Sequence, residues 1–534
     1  MLRRDFLRTI AAGAAGMASG GLWSAESESW SFGVISDTQW APPEGRADRG
    51  VAGEIIDAVN RQFIAAGVKF VVAVGDITNN SAKAPEELDI RARHNAALTA
   101  AGIRCFPLRG NHDYSLAAAK RFPQAFPGLP GSAAFRAAAG FGEASSPPLK
   151  GLAGLSYSFS YRDVTCVLLD QFVVDDGSEK GHAYPISVQL DWIAETLAAA
   201  KAAGRKAFVF GHKNLLGQSH KDNLFGDPTS RTDPGDQGAA RQAVMTRFVE
   251  TLRGNGVRYY LSGHDHQYYR AMVEAEGMAD GAGIQQIISG SCSYKFYAPQ
   301  APYSPHDHPL VHQRNAVGYV IVTVDGPLVT ARYYAVPVKP DHGDIRSWTD
   351  PDTWILQDEF GYSLNGQQWF LPSGASLSAV RDQIGAGRGF VGTSAALLDG
   401  VATGCGTTLD DDPAKRRQTS SLVTTGWSAG PTGSASDTLT LRGLRAKLGS
   451  ATAGRYVLSM SSAKAGAANL ALCSPDARGV WVNAVRPNAG DHAARVTGPC
   501  PAGAPVGTWG YDATTRSHWA VLDHDGRFAI GRPR

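Results

Sequence analysis

The stretch Cys105-Phe106-Pro107-Leu108-Arg109-Gly110-Asn111-His112-Asp113 decides how the chain is read. A short apolar run bounded by glycine reads as a buried strand. The residues after it then place an amide, an imidazole and a carboxylate at the strand's carboxyl end. In an open α/β sheet these ends share one edge, and sites form there. Four further motifs follow apolar runs in the same way. They are Asp37-Thr38-Gln39 after 32–35, Gly75-Asp76 after 70–74, Gly211-His212 after 207–210, and Gly263-His264-Asp265-His266 after 259–261. Glycine at these turns lets the chain bend where a larger residue would collide with ligand or backbone.

The runs alternate with helical patterns. Ile55, Ile56, Val59 and Phe63 lie on one helical face, with Gly67 as a stop, and Leu190, Ile193, Ala194 and Leu197 form a second such face. Alternation of this kind predicts α/β architecture with buried sheets over residues 31–340. Residues 114–155 and 213–240 are rich in Gly, Pro, Ala and Ser and read as long loops beside the sheet, where function concentrates. From 345 to 534 short strand-like runs with turn residues between them predict one or two β-rich domains. Within that region, 400–440 reads as a linker or exposed loop.

Composition narrows the function classes. The chain of 534 residues holds 51 Lys and Arg against 49 Asp and Glu, a net charge of +2, which argues against a nucleic-acid-binding surface. A hydrophobic share of 43% supports sizeable cores, and six cysteines are too few for a disulfide scaffold. Cys105 and Cys166 read as buried thiols, while Cys405, Cys473 and Cys500 leave room for one oxidised pair. Beyond the N-terminus no run of about 18 apolar residues occurs, so no membrane span is expected in the mature chain. A Gly-x-Ser-x-Gly elbow and a Walker P-loop are both missing.

The chain opens Met1-Leu2-Arg3-Arg4-Asp5-Phe6-Leu7-Arg8, followed by an Ala/Gly-rich stretch to Trp23. This resembles a twin-arginine (Tat) export signal, with Leu2 where Ser or Thr is usual and Arg8 where Lys is usual. Residues 1–25 are read as a signal peptide. The resemblance implies a bacterial periplasmic or secreted protein that meets the Tat machinery already folded, with any metal site loaded in the cytoplasm.

Carboxylates and imidazoles together suit Mn, Fe or Zn, and one carboxylate can bridge two ions about 3.5–4 Å apart. The five motifs, in this order, resemble the calcineurin-like metallophosphoesterase superfamily over roughly residues 31–335. The resemblance implies a four-layer α/β/β/α sandwich with two divalent metal ions at the sheet edge. Carried over, Asp37 and Gln39 take the first metal, Asp76 bridges, Asn111, His212 and His264 take the second, and His266 returns to the first. His112 would face the phosphate and protonate the leaving oxygen, with Asp113 holding and polarising it. The implied activity is hydrolysis of a phosphoric monoester or diester by metal-bound hydroxide, on a phosphorylated small molecule or surface group.

Two positions depart from the pattern. Gln39 stands where the family usually has His, a weaker and harder ligand that loosens the first metal or favours Mn or Fe over Zn. Asn79 stands where the purple acid phosphatase branch would place a tyrosine ligand, which disfavours that branch. A weakened site leaves an alternative open: a secreted binding protein whose β-rich C-terminal region holds a glycan or a protein partner.

His306, Asp307, His308 and His312 form a polar cluster that reads as a solvated loop ahead of a pocket or ion site. Arg109 fits a phosphate contact or a structural salt bridge equally. Asp170 ends a strand near the site. Trp481, Trp509 and Trp519 read as β-domain core ahead of a sugar-binding face.

Overall fold

The computed structural model describes residues 29–40, 50–130, 133–136, 139–226, 235, 238–279, 281–298, 307–384, 392–403, 420–444, 453–466, 469–490 and 493–533. The export segment, His306 and Cys405 lie outside them, as does the side chain of Asp307. Two sheets form the N-terminal part. The first runs Ile355–Ser363, Leu328–Pro337, Ala316–Asp325, Trp30–Ile35, Phe70–Val74, Arg104–Leu108, and its last three strands are parallel. The second runs Asp307–Gln313, Gln267–Val273, Ile284–Gly290, Tyr259–Ser262, Lys206–Gly211, Val164–Leu169, Tyr157–Tyr161, Phe141–Ser145. Its four middle strands, from Ile284–Gly290 to Val164–Leu169, are parallel.

Most of the parallel strands are largely apolar because both faces are covered, whereas Ile284–Gly290 also buries Gln285, Gln286 and Ser289. Between the sheets lies an aromatic core. Phe32 stacks on Phe70 at 5.0 Å and meets Phe208 edge-on at 5.2 Å, and Phe106 stacks on Phe159 at 4.2 Å. Burying such rings contributes both area and ring-pair geometry. Outside the first sheet, helix Gly53–Ala65 buries Ile55, Ile56, Val59 and Phe63, the face predicted from its spacing. Outside the second, helices Leu190–Ala202 and Gly238–Gly254 contribute Leu190, Ile193, Leu197, Phe248, Val249 and Leu252 to a separate core. The result is the α/β/β/α order. No helix among the described residues is long and apolar enough to cross a membrane.

The C-terminal region is β-rich. A six-stranded sheet and a five-stranded sheet share one core containing Val423, Leu439, Leu441, Leu458, Leu522 and Phe528. Trp519 is buried and donates to the Gly498 carbonyl, while Trp481 and Trp509 lie half-buried under Arg527 and Arg495.

Several expectations are corrected. Strand Ile355–Ser363 pairs antiparallel with Leu328–Pro337, so the first sheet continues past residue 340. Phe360 and Tyr362 on that strand pack edge-on against Tyr259, which draws it onto the inter-sheet core. Residues 114–155 are not one loop. They hold helix Leu116–Ala125, capped by Ser115 Oγ, and the edge strand Phe141–Ser145. The 400–440 stretch contains strands Ser420–Ser428 and Thr438–Arg442, whose serines and threonines sit in a covered sheet. Cys473 and Cys500 are free thiols, as are Cys105 and Cys166.

Candidate metal centre

The carboxyl ends of the parallel strands in both sheets open on one edge. Backbone bonds tie the turns there together. Thr38 N and Gln39 N both donate to Asp76 O at 3.0 Å, and Gly263 N donates to His212 O at 3.0 Å. Asp37, Asp76, His264 and His266 adopt positive φ of 48°, 46°, 72° and 47°. Each costs about 1–3 kcal/mol, and such strain collects where the surroundings over-determine a functional geometry. Two motif glycines make room for carboxylates. A Cβ at Gly110 would sit 2.1 Å from Asp76 Oδ1, and one at Gly263 would sit 2.5 Å from Asp37 Oδ2.

The site therefore gathers the seven side chains singled out in the sequence. Two groups of donors form, Asp76 with His212 and His264, and Asp37 with Asp76 and His266; within each group the donor atoms lie within 4.8 Å of one another. All of these residues are buried, and Asp76 is common to both groups. Two overlapping buried sets joined by a carboxylate fit a pair of divalent cations. Gln39 Nε2 donates to Asp76 Oδ2 at 2.8 Å and lies 3.1 Å from His266 Nε2, while its amide oxygen is buried with no hydrogen-bond partner. That orphaned oxygen is the atom a cation would use.

The imidazoles are pre-oriented. His212 Nδ1 donates to the Val74 carbonyl at 2.9 Å, leaving Nε2 3.2 Å from Asp76 Oδ1 and 2.9 Å from Asn111 Oδ1. His266 Nδ1 donates to the Lys295 carbonyl at 2.8 Å, leaving Nε2 3.6 Å from Asp37 Oδ1. An occupied second nitrogen fixes the tautomer, as metal-ligating histidines require.

Burial and mutual charge shift the donors in different directions, and a cation would have to displace the extra proton of His212. Burial pushes Asp37 up to about 7. Burial acts the same way on Asp76, yet His212 and His112 beside it outweigh that and hold it well below the usual carboxylate range. Burial alone would lower His212, but the Asp76 carboxylate raises it to about 9. Burial takes His266 down to about 3, so it is neutral, the form that binds metal.

His112 sits at the opening, its side chain 30% exposed, with Nε2 4.0 Å from Asp76 Oδ2. Its Nδ1 donates to the Asn79 carbonyl at 2.7 Å. Asp113 does not take the place expected for it beside this ring. Its carboxylate accepts from Ile77 N, Thr78 N, Thr78 Oγ1 and Gly110 N at 2.9, 2.8, 2.6 and 2.8 Å. Three of these four donors are backbone amides of the turns at 77–78 and 110, buried groups that need an acceptor. Arg109 resolves as a salt bridge, wholly buried against Asp170. His308 and His312 lie on strand Asp307–Gln313 rather than in a solvated loop: His308 Nε2 is 2.9 Å from Glu274 Oε2, and the buried His312 has Nε2 2.8 Å from Gln267 Oε1.

The donors are surrounded by residues that belong to none of the five motifs' ligand positions. Asp265, between the two histidines of its motif, is buried and accepts from Asn214 Nδ2, Gln218 N, His220 N and His220 Nδ1. One carboxylate thus organises the segment 214–220. Asp222 bonds His264, Lys213 pairs with Asp222, and Tyr297 meets both His220 and His266 edge-on at 4.8 Å. Lys295 lies over Trp40 at 4.1 Å and Tyr297 at 5.0 Å. The only sequence signals were adjacency to His212 and the middle position of Asp265.

A layered α/β/β/α sandwich with this donor set at its edge defines a metal-dependent phosphoesterase. Residues 31–268 match the calcineurin-like phosphoesterase family model. Solved structures similar to the chain include a dimetal phosphatase from Danio rerio, 17% identical, covering 57% of this chain and 95% of that one with a TM-score of 0.35. A purple acid phosphatase from yellow lupin (Lupinus luteus) seeds is 14% identical, covering 63% of this chain and 54% of that one with a TM-score of 0.41. Vps29 from Chaetomium thermophilum is 8% identical, covering 62% and 97% with a TM-score of 0.23. No curated protein matches the chain.

Proposed function

We propose that the protein is an exported hydrolase of phosphoric monoesters or diesters that works with two divalent cations. The observation that carries the reading is the pair of buried donor groups sharing Asp76, with His112 at their open side. In this reading Asp37, Gln39, Asp76 and His266 hold one cation, and Asp76, Asn111, His212 and His264 hold the other. Mn, Fe and Zn all suit these donors. When bound, the cations supply an activated water and neutralise phosphoryl charge.

The protein's own side chains do the rest. Because His112 Nδ1 donates to Asn79 O, its Nε2 is the nitrogen that hands a proton to the departing alcohol. Asp113 acts one step back, by locking the turn that carries His112. Export through the Tat machinery rests on the Arg3-Arg4 signal, and the substrate is a phosphorylated small molecule or surface group.

The test is hydrolysis of p-nitrophenyl phosphate and its bis ester with added Mn²⁺. Wild type turns over at least one of them, and His112→Ala and Asp76→Asn lose that activity. Equal turnover in all three proteins sinks the assignment. For export, replacing Arg3 and Arg4 by Lys should trap the protein in the cytoplasmic fraction.

A further inference from the structure

His264 differs from the other two imidazoles of the centre in what holds it. His212 and His266 are oriented by backbone carbonyls, whereas Asp222 Oδ1 lies 3.1 Å from His264 Nε2. With Nε2 occupied, the nitrogen left for a cation is Nδ1. The other oxygen of Asp222, Oδ2, is 2.6 Å from the buried ammonium of Lys213. One face of the His264 ring is covered by His220, centroid to centroid 4.2 Å. His220 is itself pinned by Asp265 through both its backbone N and its Nδ1.

His220, His264 and Asp265 also lie close enough together to suggest a third cation site. The hydrogen bonds argue otherwise. Asp265 Oδ1 accepts from His220 N and Nδ1, and Oδ2 accepts from Asn214 Nδ2 and Gln218 N, so its oxygens are committed to shaping the loop.

We propose that Asp222 is a positioning residue for the second cation, a loop carboxylate that fixes the ring and tautomer of His264, with Lys213 holding the carboxylate in place. A carboxylate behind a ligating histidine raises the basicity of the ring and fixes its direction, and its loss typically costs 10–100-fold in metal affinity. The loop after His212 therefore sets how tightly one half of the centre is occupied, and the other half is left to Asp37, Gln39 and His266. This rests on the dimetal reading above but concerns metal binding alone.

The experiment uses the mature full-length chain, stripped with chelator and titrated with MnCl₂ by calorimetry, with electron paramagnetic resonance on the same samples. Wild type should take up two Mn²⁺ and show the spectrum of a coupled pair. Asp222→Ala should bind the first ion unchanged and the second about 100-fold more weakly, with the six-line spectrum of isolated Mn²⁺. Asp222→Asn keeps the shape and one acceptor oxygen, and should weaken only the second ion, by about tenfold. If both variants bind the second ion as tightly as wild type, the proposal is overturned. A wild type that binds two ions but hydrolyses no ester would instead overturn the phosphoesterase reading, while the selective loss in the variants would still support the role of Asp222.

Discussion

Arg109 and Asp170 join the carboxyl edges of the two sheets. Arg109 Nε and Nη2 meet Asp170 Oδ2 and Oδ1 at 2.7 and 2.8 Å, and both side chains are fully buried. Arg109 Nη1 also donates to the Val173 carbonyl at 2.9 Å. Arg109 directly follows strand Arg104–Leu108 and leads into Gly110, Asn111 and His112, so this fork holds one half of the site against the sheet that carries the other.

Breaking that pair from one side leaves a charge buried alone. Arg109→Met should destabilise the catalytic domain by about 3–5 kcal/mol, whereas Arg109→Met combined with Asp170→Leu should recover much of the loss. Thermal and urea unfolding of the two variants measures the difference.

His112 and Asp113 are adjacent but should separate cleanly. His112→Ala should leave the melting temperature near wild type and lower kcat by about 10²–10⁴-fold. Asp113→Ala strips four donors of their acceptor and should lower the melting temperature strongly, since each unsatisfied buried group costs about 1–3 kcal/mol. Equal melting temperatures for the two would contradict the assignment of Asp113 to the turn.

Metal should stabilise the fold. At about 100 times the dissociation constant, Mn²⁺ is expected to add about 2.7 kcal/mol per site, and chelator should remove it. Gly110→Ala puts a methyl where Asp76 Oδ1 and Asp76 N now lie, at 2.1 and 2.2 Å, so the Mn²⁺-dependent rise in melting temperature should vanish in that variant.

Gln39→His should change selectivity. An imidazole in place of an amide oxygen favours Zn²⁺ at the first position. Competition between Zn²⁺ and Mn²⁺, read by metal analysis of the purified variant, should shift toward Zn²⁺ relative to wild type.

The C-terminal domain carries a pH-sensitive histidine. His518 is buried, with Nε2 donating to Ala465 O at 2.9 Å and Nδ1 buried without a partner. Burial lowers its pKa below the usual 6.5, outweighing the opposing hydrogen bond to the Ala465 carbonyl, and nearby Arg495 pushes the same way as burial, while Tyr511 packs on the ring at 4.7 Å. The unfolded chain therefore takes up this proton first. The stability contribution is complete above 6.5 and is lost as pH falls below that value toward the folded-state pKa. Melting scans from pH 7.5 to 5 should show wild type losing more than His518→Gln.

Local signals were legible. Apolar runs ending in glycine, the Ile55–Phe63 face and the five motifs are all properties of neighbouring residues, and they placed the strands, the helix and the donors at a common edge. Strand Ile355–Ser363 was not legible, because its assignment depends on pairing with Leu328–Pro337 and on packing against Tyr259. Helix Leu116–Ala125 was hidden by its alanines and by Pro123, which read as loop composition.

By itself the amino-acid order determined the residue types at each strand end, and so the kind of cation and chemistry they suit. Only the tertiary structure decided which nitrogen each imidazole presents, where the Asp113 carboxylate turns, and that Asp222 and Lys213 stand behind His264. Those outcomes depend on hydrogen bonds between segments as far apart as His212 and Val74, and a bond of that kind has no signature in local sequence until the chain has closed on itself.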